Sequence, residues 1–242
     1  MNRVRKNEFQ RKVAAHAAIF SALEDSVIDE ALAHANERFF LRGARIFAES
    51  EDANLVFVVI SGYVRLSSAG QDGREITLAI VGPGEMFGEL GALDGEPRSA
   101  TATACEDTLV LSIERQQFLT LVREHAPTAM EVALLLSRRL RRMDLALEEM
   151  AFLDLPTRLG RVLVNLARAS GRLTPRGVKL GIRLSQKDLA SLVAASRENV
   201  SRQLKEWREA GLLASDGGYF LLPKPEALSV PIKDRNEINQ TK

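Results

Sequence analysis

Between residues 45 and 113 the hydrophobic pattern consists of short apolar runs separated by turn signals, and this pattern most constrains the fold. The runs are rich in Val, Ile, Thr and Phe and cover residues 45–49, 55–66, 75–81 and 101–113. Glycine-containing turn signals follow two of these runs, at 70–73 and 82–84, and a third at 61–62 divides the run 55–66. Several short strands at nearly regular spacing predict a β-sandwich or β-roll and disfavour βαβ units.

Helical spacing of apolar residues flanks this region on both sides. Residues 17–39 carry an apolar stripe that predicts a helix, and residues 127–153 repeat apolar residues at alternating spacings of three and four. The second pattern is a heptad seam formed by Ala133, Leu136, Leu140, Met143, Leu147 and Met150. Because the other faces of this helix are charged, we interpret the seam as a dimer interface in preference to packing on the helix's own domain.

A second helical region begins after Pro156. Residues 157–169 are amphipathic, and residues 185–193 and 196–210 form two short helices joined by only two alanines. A tight corner before a basic helix is typical of a helix-turn-helix. The Asp216-Gly217-Gly218 segment between apolar runs predicts a hairpin, which would form a wing.

The net charge of +1 conceals two oppositely charged halves. Residues 1–154 carry 17 basic and 24 acidic side chains, whereas residues 155–242 carry 16 basic and 8 acidic ones. A basic half joined to an acidic half favours a chain in which one domain binds a polyanion and the other domain does not. An uneven distribution of solvated charge is the alternative that charge alone leaves open.

Composition narrows the class of protein further. The chain is 45% hydrophobic and 27% charged, as in ordinary globular proteins, and no apolar run approaches the roughly 18 residues of a membrane span. We expect no membrane partner, and without a secretory apolar segment near the amino terminus we expect a cytoplasmic location. The single cysteine, Cys105, cannot build a four-cysteine zinc site or an iron-sulfur cluster within one chain. We therefore expect no metal site and no cofactor.

The residues that carry chemistry lie between Phe87 and Ala100, in the run Phe-Gly-Glu-Leu-Gly-Ala-Leu, then Asp-Gly-Glu, then Pro-Arg-Ser-Ala. Arg98 can bind a phosphate bidentately, and the backbone N–H groups of a short glycine-led helix add further donors. Glu89 would repel a phosphate unless it faces a donor elsewhere on the same ligand, such as a ribose hydroxyl. The run therefore predicts a pocket that reads the sugar and the phosphate of one nucleotide.

This run resembles the phosphate-binding cassette of cyclic-nucleotide-binding domains. With the helix-turn-helix behind it, the chain resembles the cyclic AMP receptor protein (CRP/FNR) family of bacterial transcription regulators over residues 19–222. The resemblance implies an α+β fold with an N-terminal cyclic-nucleotide-binding β-roll, a long dimerisation helix and a C-terminal winged helix-turn-helix. It implies a sensor domain at 1–126, the dimerisation helix and hinge at 127–154 and the DNA-binding domain at 155–229. Residues 230–242 are polar and lack periodicity, which predicts a flexible tail.

The resemblance also assigns roles in the pocket. Glu89 is expected to bind the ribose 2′-hydroxyl, Arg98 and Ser99 the cyclic phosphate, and Arg139 matches the family arginine beside the cassette acid. The full set of expected ligand-binding residues is Gly88, Glu89, Leu90, Arg98, Ser99, Ala100, Arg139 and Asp144. The alternative reading of the run is a turn with an exposed arginine, which the complete cassette spacing disfavours.

One departure from the family concerns the base of the ligand. Receptors for cyclic AMP place a Thr-Ser pair on the long helix, and the matching residues here are Met143 and Asp144. Ionised Asp144 would accept from the amino group of adenine or from N1–H and the amino group of guanine, or it is a solvated surface charge. We expect cyclic AMP first, with cyclic GMP or both nucleotides as the alternative.

The predicted helix-turn-helix carries both helix caps and candidate DNA-binding residues. Ser185 and Asp188 have the spacing of a capping box, and Ser196 is a candidate cap for the next helix. By resemblance, Arg197, Glu198 and Arg202 read bases in half-sites related to TGTGA, since arginine suits guanine and glutamate suits cytosine. The expected DNA-binding residues are Ser185, Lys187, Ser196, Arg197, Glu198, Ser201, Arg202 and Lys205, of which Ser185, Lys187, Ser201 and Lys205 would contact phosphates. An ordinary solvated helix face is the alternative.

These observations predict an allosteric, homodimeric transcription regulator that is not an enzyme. Its expected partners are a cyclic nucleotide, double-stranded DNA, a second copy of the chain and, by family similarity, RNA polymerase through the basic loop at 169–181 or the roll surface. A cyclic-nucleotide-binding regulatory module without gene-specific DNA binding is the alternative from another class. A dinucleotide-dependent oxidoreductase is disfavoured because the glycines near residue 88 do not have the spacing G-x-G-x-x-G.

Overall fold

The computed structural model describes residues 17–20, 23–33, 35–70 and 73–228, and the chain divides into two compact units. The first consists of Met1–Ser68 and Leu78–Arg142, and the second of Ala69–Thr77 and Met143–Lys242. The tail predicted at 230–242 lies outside the described residues. Because the division falls within the long helix, the domain boundaries at residues 126 and 154 stay predictions.

Two four-stranded sheets form the core of the β region. One contains β1 (Asn36–Phe40), β3 (Leu55–Ser61), β6 (Met86–Phe87) and β8 (Thr108–Glu114) in the order β1-β8-β3-β6. The other contains β2 (Arg45–Phe47), β4 (Val64–Ala69), β5 (Glu75–Val81) and β7 (Thr101–Ala104) in the order β2-β7-β4-β5. The prediction of several short strands is confirmed.

Strand β3 explains how the two sheets pack. Val56 and Val58 join one buried cluster with the helices, whereas Phe57 and Val59 join a second cluster that also contains side chains of the other sheet. Since side chains alternate between the two faces of a strand, a strand covered on both faces is apolar at every position. This is why β3 shows a continuous apolar run and no polar alternation.

The helices of the first unit partly match the prediction from sequence. They are a 3₁₀ turn (Ala18–Phe20), α1 (Asp25–Ala33), α2 (Glu89–Asp94), α3 (Arg115–Glu124) and α4 (Ala126–Phe152), the last crossing into the second unit. The helix predicted over 17–39 is wrong at its carboxyl end, because Asn36–Phe40 is a strand that pairs antiparallel with β8. Pairing with a strand more than 70 residues away overrides local helical spacing there.

Helix α4 has 27 residues and therefore extends about 40 Å at 1.5 Å per residue. Its first turns pack within the first unit, where Val132 is buried and Leu136 contacts the same buried cluster as Val56 and Val58. Further along, Leu140, Met143 and Leu147 are 60–70% exposed. The predicted seam is thus split: Leu136 packs on its own domain, whereas Leu140, Met143 and Leu147 form an exposed apolar stripe.

The second unit is built on three helices and a small sheet. The helices are α5 (Leu155–Ser170), α6 (Gln186–Leu192) and α7 (Arg197–Glu209). Asp154 caps α5 by accepting from the backbone N–H of Thr157, with a proline in the first helical turn. The buried side chains that hold these helices together include Leu159, Leu163, Leu189, Leu204 and Trp207.

The sheet of this unit has the order β11-β12-β10-β9, formed by β9 (Arg172–Thr174), β10 (Gly177–Lys179), β11 (Ala214–Asp216) and β12 (Tyr219–Leu222). The predicted wing hairpin is confirmed as β11–β12, which turns at two glycines with positive φ. The segment at 169–181, interpreted as a loop, instead contains the β9–β10 hairpin. Over the part of the chain that the structure describes, no helix combines the length and the apolar character of a membrane span.

Candidate functional site

The chain turns from strand β6 into helix α2 at Gly88, and the site is built around this turn. Gly88 has φ 76°, a left-handed conformation that favours glycine. A Cβ atom at this position would lie 2.6 Å from Nη1 of Arg98 and 3.4 Å from the Phe47 ring. The glycine is therefore needed both for the backbone conformation and for the close approach of the arginine.

Arg98 lies beneath this turn, with only 5% of its surface exposed. Its Nη1 donates to the carbonyl of Gly88 at 2.7 Å and its Nη2 to the carbonyl of Leu55 at 2.6 Å. Burial lowers the pKa of Arg98, while the charges of Glu51 and Glu89 raise it. Burial here is also inconsistent with the alternative of an exposed arginine on a plain turn.

Glu89, the first residue of α2, is fully buried and forms an ion pair with Arg139 of helix α4. Arg139 donates to Oε1 of Glu89 through Nη1 and to the carbonyl of Met86 through Nη2, at 2.6 Å. Because buried charges require partners, this pair links helix α4 to the cassette. Arg139, expected from sequence beside the cassette acid, lies in contact with Glu89.

One cavity brings most of the predicted pocket residues together. Seven of the eight line it, namely Gly88, Glu89, Leu90, Arg98, Ser99, Ala100 and Arg139. The eighth, Asp144, is an exposed residue of the second unit and is absent from this lining. Phe47 and Leu66 also line the cavity; sequence reasoning missed them because each reads simply as an apolar strand residue.

Two buried polar atoms indicate what the cavity can bind. Oε2 of Glu89 and Nε of Arg98 have no hydrogen-bond partner among the described residues. Buried polar groups are almost always satisfied, so such atoms call for a ligand or an ordered water. A hydroxyl donor facing Glu89 and an anionic acceptor facing Arg98 would satisfy both. A sugar phosphate carries both groups.

The helix-turn-helix is fixed by two caps and a tight corner. Ser185 forms a reciprocal capping box with Asp188, with bonds of 3.1 and 2.7 Å. The Ser196 hydroxyl accepts from the N–H of Asn199 at 3.2 Å. Between the helices Ala194 adopts φ 49°, which reverses the chain within two residues. The predicted capping box and cap are confirmed.

Helix α7 has one buried and one exposed face. Val200, Gln203, Leu204 and Trp207 are buried. The opposite face exposes four of the eight residues predicted to meet DNA, namely Arg197, Glu198, Arg202 and Lys205, while Ser201 is half-buried at its edge. At the helix start, this exposed face can present an arginine and a carboxylate to base edges.

The remaining predicted DNA contacts lie on or beside helix α6. Ser185 and Lys187 are exposed at its amino-terminal end. Within the same compact unit, Nζ of Lys187 lies 3.4 Å from Oε2 of Glu75. Lys179 of β10 donates to Asp216 of the wing at 2.8 Å, and this hydrogen bond holds the pKa of Asp216 below its usual range. Among the described residues, no cluster of three His, Cys, Asp or Glu side chains has a metal-binding arrangement.

Two family models match the chain in agreement with this geometry. Residues 37–125 match the cyclic nucleotide-binding domain, and residues 157–230 match the Crp-like helix-turn-helix domain. The first range contains the whole cassette and the second contains both helices of the motif.

Known proteins resemble the chain over most of its length. It is 32% identical over 218 residues to the CRP-like cAMP-activated global transcriptional regulator of Mycobacterium tuberculosis, covering 90% of this chain and 97% of that protein. It is 36% identical over 195 residues to the cyclic AMP receptor protein of Thermus thermophilus, covering 81% and 87%. Among solved structures, the c-di-GMP-responsive global regulator CLP of Xanthomonas campestris superposes with a TM-score of 0.71 at 29% identity, covering 82% and 99%.

The fold and the two sites define a ligand-sensing transcription regulator with separate nucleotide-binding and DNA-binding parts. The chain belongs to the CRP/FNR family of transcription regulators. As a family member it is a cyclic-nucleotide-binding, DNA-binding protein.

Proposed function

We propose that this protein is a homodimeric transcription regulator that binds cyclic AMP in the cavity beside Gly88 and then binds palindromic DNA. The observation that carries the proposal is the pair of buried, unpartnered polar atoms, Oε2 of Glu89 and Nε of Arg98. One ligand that carries a hydroxyl donor and an anionic acceptor would satisfy both atoms. The relatives from Mycobacterium tuberculosis and Thermus thermophilus are named for cyclic AMP, which supports the same ligand here.

The proposed roles follow from the contacts of each residue. Glu89 accepts from the ribose 2′-hydroxyl through Oε2, because Arg139 already occupies Oε1. Arg98 donates to the cyclic phosphate through its Nε edge, and Ser99 adds a hydroxyl beside it. Gly88, Leu90 and Ala100 form the wall of the cavity.

The base is the least constrained part of the proposed ligand. Asp144 is the proposed base contact, as an acceptor for an amino group. Isothermal titration of the full chain with cyclic AMP and with cyclic GMP tests the ligand, with cyclic di-GMP as a third arm because the Xanthomonas regulator responds to it. Tightest binding of cyclic AMP supports the proposal; tightest binding of cyclic GMP selects the alternative, and binding of neither overturns both.

The exposed stripe on helix α4 supports the proposed dimer. Leu140, Met143 and Leu147 together expose an apolar surface that a monomer would leave in water. Their spacing of three and four matches a coiled-coil seam. Analytical ultracentrifugation should give a dimer for the natural chain and a monomer for the double variant Leu140→Lys, Leu147→Lys; a monomeric natural chain would contradict the proposal.

The proposed DNA target is a near-palindrome of TGTGA-like half-sites, since a two-fold dimer places two α7 helices about one turn of DNA, roughly 10 bp, apart. Arg197, Glu198 and Arg202 read the bases, and Ser185, Lys187, Ser201 and Lys205 contact phosphates, with Ser196 fixing the start of the helix. A gel shift with this DNA, with and without cyclic AMP, tests the proposal. Equal shifts in both lanes would contradict nucleotide control.

Activation of transcription requires a further partner, for which we propose RNA polymerase. The β9–β10 hairpin carries Arg172 and Arg176 with an exposed Leu173 between them, and it is one candidate contact. DNA as partner also implies a cytoplasmic location. We propose no catalytic role, and the named relatives are transcription regulators.

A further inference from the structure

Three phenylalanine rings form a triangular cluster, and two of them lie close to the cassette arginine. The rings of Phe47, Phe57 and Phe87 lie with centroids 5.2–5.9 Å apart and interplanar angles of 19–28°. All three side chains are buried. The guanidinium carbon of Arg98 lies 4.2 Å from the ring centroid of Phe47 and 5.7 Å from that of Phe57.

The distance to Phe47 is that of a close cation–π contact. A cation over the face of an aromatic ring is attracted by the ring quadrupole, and the attraction grows when water is excluded. A guanidinium stacked on a ring keeps all five N–H groups free at its edges. In Arg98, backbone carbonyls accept from Nη1 and Nη2, and the Nε edge has no partner among the described residues.

We propose that Phe47 is a positioning residue for anion binding, because its ring face fixes the plane in which Arg98 presents its Nε edge to a singly charged phosphodiester. This inference rests on the proposed function and adds a residue to it. Phe47 does not donate to the phosphate; it acts through Arg98. The hydrogen bonds from Nη1 and Nη2 to backbone carbonyls hold the end of the guanidinium that lies away from Nε. The Phe47 ring prevents the guanidinium plane from tilting about these two bonds.

Phe87 is the control residue that distinguishes this positioning role of Phe47 from simple core packing. It stacks on both of the other rings and is fully buried, but it is absent from the cation–π contacts of Arg98. Phe47→Leu and Phe87→Leu remove the same number of atoms from the same cluster. Only the first removes the face on which the guanidinium lies.

The experiment is calorimetric titration of full-length variants with cyclic AMP, with urea unfolding measured in parallel. Phe47→Leu is expected to weaken cyclic AMP binding roughly 10- to 30-fold, whereas Phe87→Leu weakens it less than about threefold at a similar loss of stability. If either leucine variant fails to fold, tetrafluorophenylalanine at position 47 keeps the ring shape and removes the attraction of its face. That variant should weaken binding several-fold, and the same residue at position 87 should not.

The outcomes separate the two proposals. If the natural chain binds no cyclic nucleotide, the proposed function fails before Phe47 is tested. If the natural chain binds cyclic AMP but the two leucine variants lose affinity equally, Phe47 is a packing residue and the inference is overturned. Full affinity in the fluorinated variant at position 47 overturns it as well.

Discussion

The two functional regions of this molecule differ in how their charged residues are held. In the nucleotide pocket, Glu89 and Arg98 are buried and bonded to other protein groups. On helix α7, Arg197 and Glu198 are exposed at the start of the helix, where the cap of Ser196 fixes only the backbone. The pocket is therefore preorganised, whereas the DNA-reading side chains keep their rotamer freedom.

This difference predicts two kinds of mutational effect. A buried charge is costly to remove singly because its partner is left unpaired in a low-dielectric site. An exposed side chain changes stability by no more than about 0.5 kcal/mol and can act on specificity alone. Substitutions in the pocket should therefore couple binding to stability, and substitutions on the exposed face of α7 should separate them.

The largest expected effect is the loss of nucleotide binding in Arg98→Leu. The variant removes the donor to the phosphate, and truncating a buried, hydrogen-bonded charge costs about 2 to 5 kcal/mol, or at least roughly 30-fold in affinity. Calorimetry with cyclic AMP measures it. Arg138→Leu, which removes the same charge from a half-exposed side chain on α4, is the control and should bind within about threefold of the natural chain.

Removing Arg139 should lower stability as well as affinity. Arg139→Met leaves the fully buried Glu89 without its cation, at a cost of about 3 kcal/mol in the free energy of unfolding. Adding Glu89→Gln should restore much of that stability, because no charge is then left unpaired, but it should not restore cyclic AMP binding. Urea unfolding followed by circular dichroism measures the free energy of unfolding of the natural chain, the two single variants and the double variant, which together form a double-mutant cycle. Additive losses in the double variant would show that the two side chains do not interact.

A smaller effect is expected from one methyl group at Gly88. In Gly88→Ala the new Cβ would meet Nη1 of Arg98 and displace a charge-assisted hydrogen bond, which weakens cyclic AMP binding by about 2 kcal/mol. Gly43→Ala is a matched control, since Gly43 has a similar φ of 80° but open space around its Cβ position. Because both glycines have positive φ, backbone strain alone predicts similar losses of stability in the two variants. If Gly88→Ala and Gly43→Ala bound cyclic AMP with equal affinity, the role assigned to Gly88 would be wrong.

The same contrast explains what could be predicted from the sequence. The cassette and the helix-turn-helix were predicted because their residues are close in sequence and their spacing is local: Gly88 immediately precedes α2, and Ser185 caps α6. Strand β1 was missed because it exists only through pairing with β8. Phe47 was missed because nothing in a three-residue strand shows that its ring lies under Arg98.

The long helix shows a further limit of periodicity. Leu136 and Leu140 are successive core positions of one heptad pattern, yet Leu136 packs within the first unit and Leu140 is exposed. Periodicity reports which face of a helix is apolar. It does not report whether the same chain or another one covers that face, because the answer depends on where the neighbouring elements end.

On the exposed face of α7, Glu198→Ala should change specificity and leave stability unaltered. Glu198 accepts from a single cytosine in the proposed site, so the variant loses about 1 to 3 kcal/mol of discrimination at one base pair. Removing a carboxylate also lessens repulsion from phosphates, so binding to unrelated DNA should strengthen. Gel shifts on a set of single-base variants of the TGTGA half-site measure both. An equal change on every sequence would argue against base reading by Glu198.

The smallest effect is expected at Lys205, whose proposed partner is a phosphate. Its Nζ lies 3.8 Å from Glu209 one turn along α7, and both side chains are largely exposed, so the ion pair contributes little to stability. Lys205→Ala should weaken binding to all sequences alike and reduce the slope of log affinity against log salt by about 1 for each subunit that makes the contact. Glu209→Ala frees the same lysine and should leave the slope unchanged. If Lys205→Ala instead altered preference at one base pair, Lys205 would belong with Glu198 among the base-reading residues, and the division of α7 into reading and positioning side chains would shift one turn along the helix.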